Sequence, residues 1–409
     1  MFGKPETCEV LVVGAGPVGL FAALQLAERG IKVRIVDQEK RTATHSYALV
    51  LHPETLRALF RSGPFRNVLK DGAGLRGMAF YDAAQRKAEV GFPEVDGALP
   101  FALVLPQSML EKVLEDELAR WDVHVEWNHR LTAISQDAEG VTADVAKLDR
   151  AASGYPYARM EWIVAKTIPI RAKFLVGADG YSSFVRRALE ISYREVGRAQ
   201  SFSVYEFTCT GGGPSDEVRV ALNDATTEVL WPLAPDRFRF SFQIEDATRH
   251  EATAAQLERF IRERAPWFQG EPQDIRWTTA VLFERRLAER FGVDRVWLAG
   301  DAAHITGPVG GQSMNVGLLE ARDLSAAIAA SLREGADLSK LESYGVARRD
   351  EWKRLLGTEG PLQIDKHTDP WVGSRADRIL PCLPASGSDL ERLMDQLGIA
   401  FTGAPRASM

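Results

Sequence analysis

One short stretch near the start of the chain, GAGPVG at residues 14–19, restricts the possible folds more than any other feature. Residues 8–13 before it are a valine-rich apolar run that predicts a strand. Residues 20–30 after it have helical apolar spacing and end at Gly30, a natural helix stop. KVRIVD at 32–37 then predicts a second buried strand ending in Asp37. Strand, glycine turn, helix and strand together make a βαβ unit with parallel strands. Gly14 permits the tight turn, Gly16 lets a pyrophosphate approach the backbone, and Gly19 allows close helix–strand packing. The helix N-terminus offers free N–H groups and partial positive charge to phosphates. Asp37 is placed to take ribose hydroxyls. The motif predicts dinucleotide binding and does not by itself separate FAD from NAD.

Length and charge bound the rest. A chain of 409 residues has room for two or three domains at roughly 150 residues each. Its net charge of −6 gives no basic footprint for nucleic acid and no polybasic membrane patch. Cys8, Cys209 and Cys382 are far apart and form no CxxC pair, so neither a disulfide framework nor a thiolate metal site is expected. No metal is expected elsewhere. No apolar run approaches membrane-spanning length, and the apolar N-terminal run is too short for a signal peptide. A cytoplasmic protein is the expectation.

Further along, 53–62 and 109–121 predict helices. Short strands are predicted at 124–136, 140–148, 160–170 and 171–179, with 149–159 as a long exposed turn. From 193 to about 285 strand-like alternation dominates, interrupted by one helix at 253–266, and reads as an antiparallel sheet. A buried strand returns at 295–304, and helices are predicted at 315–334 and 340–356.

Two more stretches carry chemistry. In VGADGYSSFVRRAL (176–189) a strand ends at Asp179-Gly180, and Ser182 or Ser183 opens a helix bearing Arg186 and Arg187. In LAGDAAHITGPVGGQSMN (298–315) a strand delivers Gly300-Asp301, followed by a loop with Gly307, Pro308, Gly310 and Gly311 and then a helix. Such a loop aims several N–H groups at one point. Asp301 is an acceptor suited to a ribityl or ribose hydroxyl. His304 beside it is a candidate for catalysis, although a histidine next to a strand end more often packs or caps.

Taken together, GAGPVG, DGYSSFVR and GDAAHITGPVGGQSMNVGLLEA resemble the three motifs of the p-hydroxybenzoate hydroxylase-like (group A) FAD-dependent aromatic hydroxylases. The resemblance runs from residue 8 to about 350. It implies a mixed α/β (α+β) fold: a Rossmann-like FAD-binding domain with an inserted antiparallel-sheet substrate domain and C-terminal helices. The FAD-binding domain is expected at 1–75, 100–190 and 286–345, the substrate sheet at 76–99 and 191–285, and a helical cover at 346–409. The implied cofactor contacts are Gly14, Gly16, Pro17, Val18, Gly19, Asp37 and Gln38 for the first motif. Asp179, Gly180 and Arg186 follow from the second, whose aspartate and arginine are also implicated in NAD(P)H handling. Gly300, Asp301, Pro308, Gly310, Gly311, Met314 and Asn315 follow from the third. Gln107 matches a position where the family sets Arg or Gln against FAD. Two departures stand out: Tyr47 occupies the place of a cofactor-contacting arginine, and Ser313 stands where glycine is commoner.

The resemblance implies an FAD enzyme that consumes NAD(P)H and O2 and hydroxylates a phenolic or other electron-rich aromatic through a flavin C4a-hydroperoxide. A small aromatic substrate is the expected partner, and a homodimer is a class-level expectation. Tyr205, Phe207, Trp231, Phe240 and Phe242 are candidates to line the substrate pocket. His45, His52, His250 and Tyr205 are candidates for a base, and none is singled out. Alternatives stay open: a flavin-dependent halogenase, although the WxWxIP stretch of that family is absent; a flavin C=C reductase or epoxidase; or a flavin-binding sensor without turnover.

Overall fold

The computed structural model describes residues 5–41, 50–61, 72–93, 95, 99–153, 159–214, 216–247 and 252–402. His45, Tyr47 and His250 lie outside these residues.

The βαβ unit forms as expected. Val10–Val13 and Val33–Val36 pair in parallel, with Val10 opposite Val33. Between them runs the helix Pro17–Ala27, buried at every residue except Val18. Pro17 sits in its first turn, where a missing N–H breaks no helical bond. Phe174–Gly177 and Val296–Leu298 extend the sheet on one side and Val125–Glu126 on the other, all in parallel. These strands are short and almost wholly apolar, as strands buried on both faces must be. Because they are parallel, their carboxyl ends share one edge. The Gly14 turn, Asp179 and Gly300 each follow one of these ends and therefore meet there.

The second layer is an eight-stranded sheet. Its spatial order is His304–Ile305, Glu271–Ala288, Tyr193–Thr210, Arg237–Ile244, Thr227–Ala234, Glu217–Leu222, Gly77–Asp82 and Gln85–Gly91. It is antiparallel except at one seam, where Glu217–Leu222 runs parallel to Gly77–Asp82. That hairpin comes from a distant part of the chain, so no tight turn forces the strands to reverse.

Alternation sorts the side chains of this sheet into two cores. Phe202, Val204, Val229 and Trp231 join the main core shared with the nucleotide-binding layer. Tyr205, Phe207, Leu230, Phe238, Phe240 and Phe242 form a separate core under the helix Ala254–Arg264, with Leu257, Phe260 and Phe268.

The expected turn at 149–159 is corrected. The strands Gly140–Ser153 and Arg159–Ala172 continue the hairpin, with Ala151 opposite Glu161. Weak apolar patterning hid a ladder made by the backbone. The tail is tied to both layers. Arg378 donates to the carbonyls of Asn223 and Thr226, Gln396 pairs with the backbone of Gly91, and Arg57 meets Asp389. Among the described residues, no helix is long and apolar enough to cross a membrane.

Candidate active site

The three glycines of the first motif occupy three different environments. Gly14 has φ +105°, and a Cβ there would lie 2.1 Å from the Ala178 carbonyl oxygen. A Cβ on Gly19 would lie 1.9 Å from the Gly14 carbonyl oxygen. Gly16 has nothing within 4 Å of the same position. Two glycines therefore serve close packing, and the middle one leaves backbone open to a ligand. Gly16 is also the N-cap and gives the helix no side-chain cap, so its first N–H groups remain available. Asp37 ties the second strand to this turn. Its Oδ2 accepts the Ala15 N–H at 2.6 Å, and its Oδ1 accepts the Glu39 N–H at 2.8 Å. Each oxygen keeps a lone pair for a ribose hydroxyl. Gln38 follows it, exposed.

Packing joins the three motifs. Gly14 abuts Ala178, and a Cβ on Gly300 (φ +64°) would meet Val18 at 3.0 Å. Arg186 is buried, and its guanidinium donates to the carbonyls of Ala302 and Tyr181, both at 2.8 Å. It also lies 3.8 Å over the Tyr193 ring, and the Tyr193 hydroxyl donates to the Asp301 carbonyl at 3.1 Å. Arg186 is thus a clamp between the second and third motifs. Asp179 uses Oδ2 to accept the Val185 N–H at 3.0 Å, while Oδ1 is buried without a partner. Burial raises its pKa, opposed by the Ser183 hydroxyl and backbone donors. Gly180, at φ +75°, has open space where a Cβ would stand. The Asp301 side chain reaches solvent. The protein around it still raises its pKa by desolvation, with His304 opposing and Glu320 adding. Gln107 opens the helix Gln107–Arg120, which packs on the first helix, and donates to Glu111 at 2.7 Å.

The loop after Asp301 leads into the helix Gln312–Glu334, three residues earlier than expected. Its N-cap, Gly311 (φ 65°), again supplies no side chain, so the first-turn N–H groups, including that of Met314, face the loop end uncapped. Asn315 has a different task from the one expected. Its amide donates to the carbonyls of Val50 and Gly311, both at 2.8 Å, and its Oδ1 accepts the His52 N–H at 2.7 Å. The His52 Nε2 donates to the Gly310 carbonyl at 2.8 Å. Full burial pushes the His52 pKa down to about 4, with the Gly310 carbonyl opposing. His52 is a neutral brace for the loop and does not fit the role of a base. Behind it, a Cβ on Gly310 would lie 2.6 Å from the Pro381 carbonyl. Pro308 is half-buried.

The loop also meets the sheet. A Cβ on Gly307 would stand 3.2 Å from the Gln200 Oε1. Gln200 shares its strand face with Phe202 and Val204, so the face turned to the loop is the one carrying those residues and Trp231. Tyr205, Phe207, Phe240 and Phe242 are therefore corrected: they point away from the loop, into the aromatic core under the helix Ala254–Arg264. The same burial removes Tyr205 as a base. Trp231 alone of the five is on the loop side. Phe202, Val204, Val229 and Ser241 share that face and were missed, because both parities of SFSVYEF are largely apolar and alternation alone does not say which faces the cofactor. Among the described residues, no group of three or more His, Cys, Asp or Glu side chains could hold a metal.

A dinucleotide fits this edge on three observations: the open Gly16 backbone, two uncapped helix N-termini, and the orphaned Asp179 Oδ1. Residues 7–358 match the family described as "FAD binding domain". The chain is 28% identical over 372 residues to the uncharacterized aromatic compound monooxygenase YhjG of Bacillus subtilis, covering 90% of this chain and 71% of that protein. It is 28% identical over 384 residues to a para-nitrophenol 4-monooxygenase of a Pseudomonas strain, covering 90% of each. Among solved structures, p-nitrophenol 4-monooxygenase PnpA from Pseudomonas putida superposes with a TM-score of 0.73 at 25% identity, covering 96% of this chain and 97% of that one.

Proposed function

The chain belongs to the FAD binding domain family, and from that premise we propose that this FAD-dependent monooxygenase takes electrons from NADH or NADPH and hydroxylates a phenolic or similarly electron-rich aromatic ring. The observation that carries the reading is the seam itself. All three motifs converge on one sheet edge, and the loop 307–311 leaves it directly against an apolar face of the second layer. The names of the relatives, which act on nitrophenol and other aromatics, support the same substrate class.

Bound FAD supplies the redox chemistry, passing electrons from the nicotinamide to O2 and one oxygen atom on to the ring. The chain's own residues do the holding. Gly16 and the first-turn N–H groups of Pro17–Ala27 take the pyrophosphate. Asp37 takes the adenosine ribose, and Asp301 and the Asp179 Oδ1 take hydroxyls nearer the flavin. The uncapped N-terminus of Gln312–Glu334 offers positive potential to the electron-rich end of the reduced ring. Phe202, Val204, Val229 and Trp231 would wall the opposite side and keep water away from the bound flavin. We assign 1–75, 100–190 and 286–345 to the FAD-binding part, 76–99 and 191–285 to the substrate sheet, and 346–409 to the cover.

The test is NAD(P)H oxidation by the FAD-loaded protein across a panel of phenols, coupled to product mass. A product about 16 mass units heavier in ordinary O2, and about 18 heavier in 18O2, is expected. Label arriving from 18O-water, or a halogenated product that depends on chloride, would overturn the hydroxylase reading.

A further inference from the structure

Behind the Gly300–Asp301 turn lies a buried polar cluster, two of whose members, His304 and Glu320, belong to the third motif but hold no cofactor contact in the assignment above. Glu320, fully buried on the helix Gln312–Glu334, accepts three hydrogen bonds, each 2.8 Å long. The Gly300 N–H and the His304 Nε2–H reach Oε2, and the Trp352 indole N–H reaches Oε1. The His304 ring is also fully buried and stacks on Trp352 at 3.8 Å. Trp352 belongs to the helix Ser339–Leu355, whose Tyr344 hydroxyl also donates to the Leu298 carbonyl at 3.0 Å. Tyr344 of that helix thus grips the strand end that delivers Gly300, and Trp352 reaches the same turn through Glu320. The approach is close, since a Cβ on Gly317 of the Glu320 helix would stand 3.1 Å from the Gly300 Cα.

The turn is therefore held from both sides. On the solvent side, Arg186 and Tyr193 bond the carbonyls of Ala302 and Asp301. On the core side, Glu320 takes the Gly300 N–H and so fixes the Ala299–Gly300 peptide plane, one residue ahead of Asp301. A left-handed Gly300 has wide conformational freedom of its own, so an anchored N–H is what gives the turn a single orientation. A carboxylate is suited to the task because it is acceptor-only and serves three donors at once.

We propose that Glu320 is the positioning residue for Asp301, locked by His304 and Trp352, so that the helix Ser339–Leu355 is part of the cofactor-holding machinery. None of these three side chains touches the cofactor in this assignment; they act through the Gly300 peptide.

The experiment measures FAD dissociation constants and apoprotein melting temperatures of the full chain and three variants. Glu320→Gln places an amide donor against one of the existing donors, and FAD should bind about tenfold or more weakly. Trp352→Phe keeps the ring and removes one donor, and FAD should bind roughly fivefold more weakly. Ile328→Ala, a cavity at a buried position eight residues further along the same helix, should lower the melting temperature at least as much as Trp352→Phe and leave FAD affinity within about twofold. Wild-type FAD affinity in Glu320→Gln overturns the proposal. So does an affinity loss in Ile328→Ala equal to that of the cluster variants, which would reduce the effect to general destabilisation. If Glu320→Gln does not fold, the comparison of Trp352→Phe with Ile328→Ala decides. Wild-type protein that takes up no FAD would instead overturn the cofactor assignment.

Discussion

The nucleotide-binding layer and the eight-stranded sheet are both built from apolar strands, yet they place opposite demands on their sequences. In the first layer, function depends on backbone reaching a ligand and on helix touching strand. Only the absence of a side chain satisfies both, so Gly14, Gly16 and Gly19 have single solutions. In the sheet, two apolar faces are needed, one toward the cofactor loop and one under the helix Ala254–Arg264. Many side chains satisfy either. The first layer should therefore lose function abruptly on small changes, whereas the sheet should divide its losses by face.

Gly19→Val offers the sharpest break. Its side chain would have to displace the Gly14 carbonyl, and FAD binding should be abolished in equilibrium titration; retained binding would show that the turn can yield. Phe207→Ala is the counterpart in the sheet. It should cost about 3–5 kcal/mol of stability by denaturant melting and leave FAD affinity within about threefold. A large affinity loss there would erase the contrast between the layers.

His52 gives a pH-dependent form of the same comparison. Its pKa is about 4 in the folded protein and near 6.5 unfolded. The unfolded chain binds the extra proton between those values, so stability falls as pH drops from about 6.5 toward 4, by roughly 3 kcal/mol. His52→Gln keeps a donor for Gly310 and should flatten that part of the stability–pH curve. An unchanged slope would mean the brace does not bury a neutral imidazole. The smallest expected effect separates the two faces of the sheet. Trp231→Leu should lower kcat/KM for a phenol about tenfold with little change in FAD affinity. Phe240→Leu should lower the melting temperature and leave kcat/KM within about twofold.

These regions also differ in how much could be read in advance. Cofactor glycines and the strand–helix order were legible because local geometry demands them within a few residues. Arg186 was legible as important, but its role was not. Folded, its guanidinium gives two of its five N–H donors to the carbonyls of Ala302 and Tyr181, a bracing use that the sequence does not announce. Asn315 likewise has its amide committed to Val50, Gly311 and His52. Tyr205, Phe207, Phe240 and Phe242 lie on the face of the sheet turned away from the loop, which alternation alone did not reveal. Glu320 stood inside the third motif with no role assigned to it, and its partner Trp352, 32 positions later, left no local signal.

By itself, then, the sequence determined a dinucleotide turn, its two companion motifs and the chain order that brings a sheet between them. These depend on backbone conformation and on short-range periodicity. Tertiary structure alone decided which side of the sheet faces the cofactor loop and which polar side chains brace rather than bind. Both are settled by partners distant in the chain. A strand shows two faces with equal willingness, and a buried donor or acceptor has no role until packing chooses its partner.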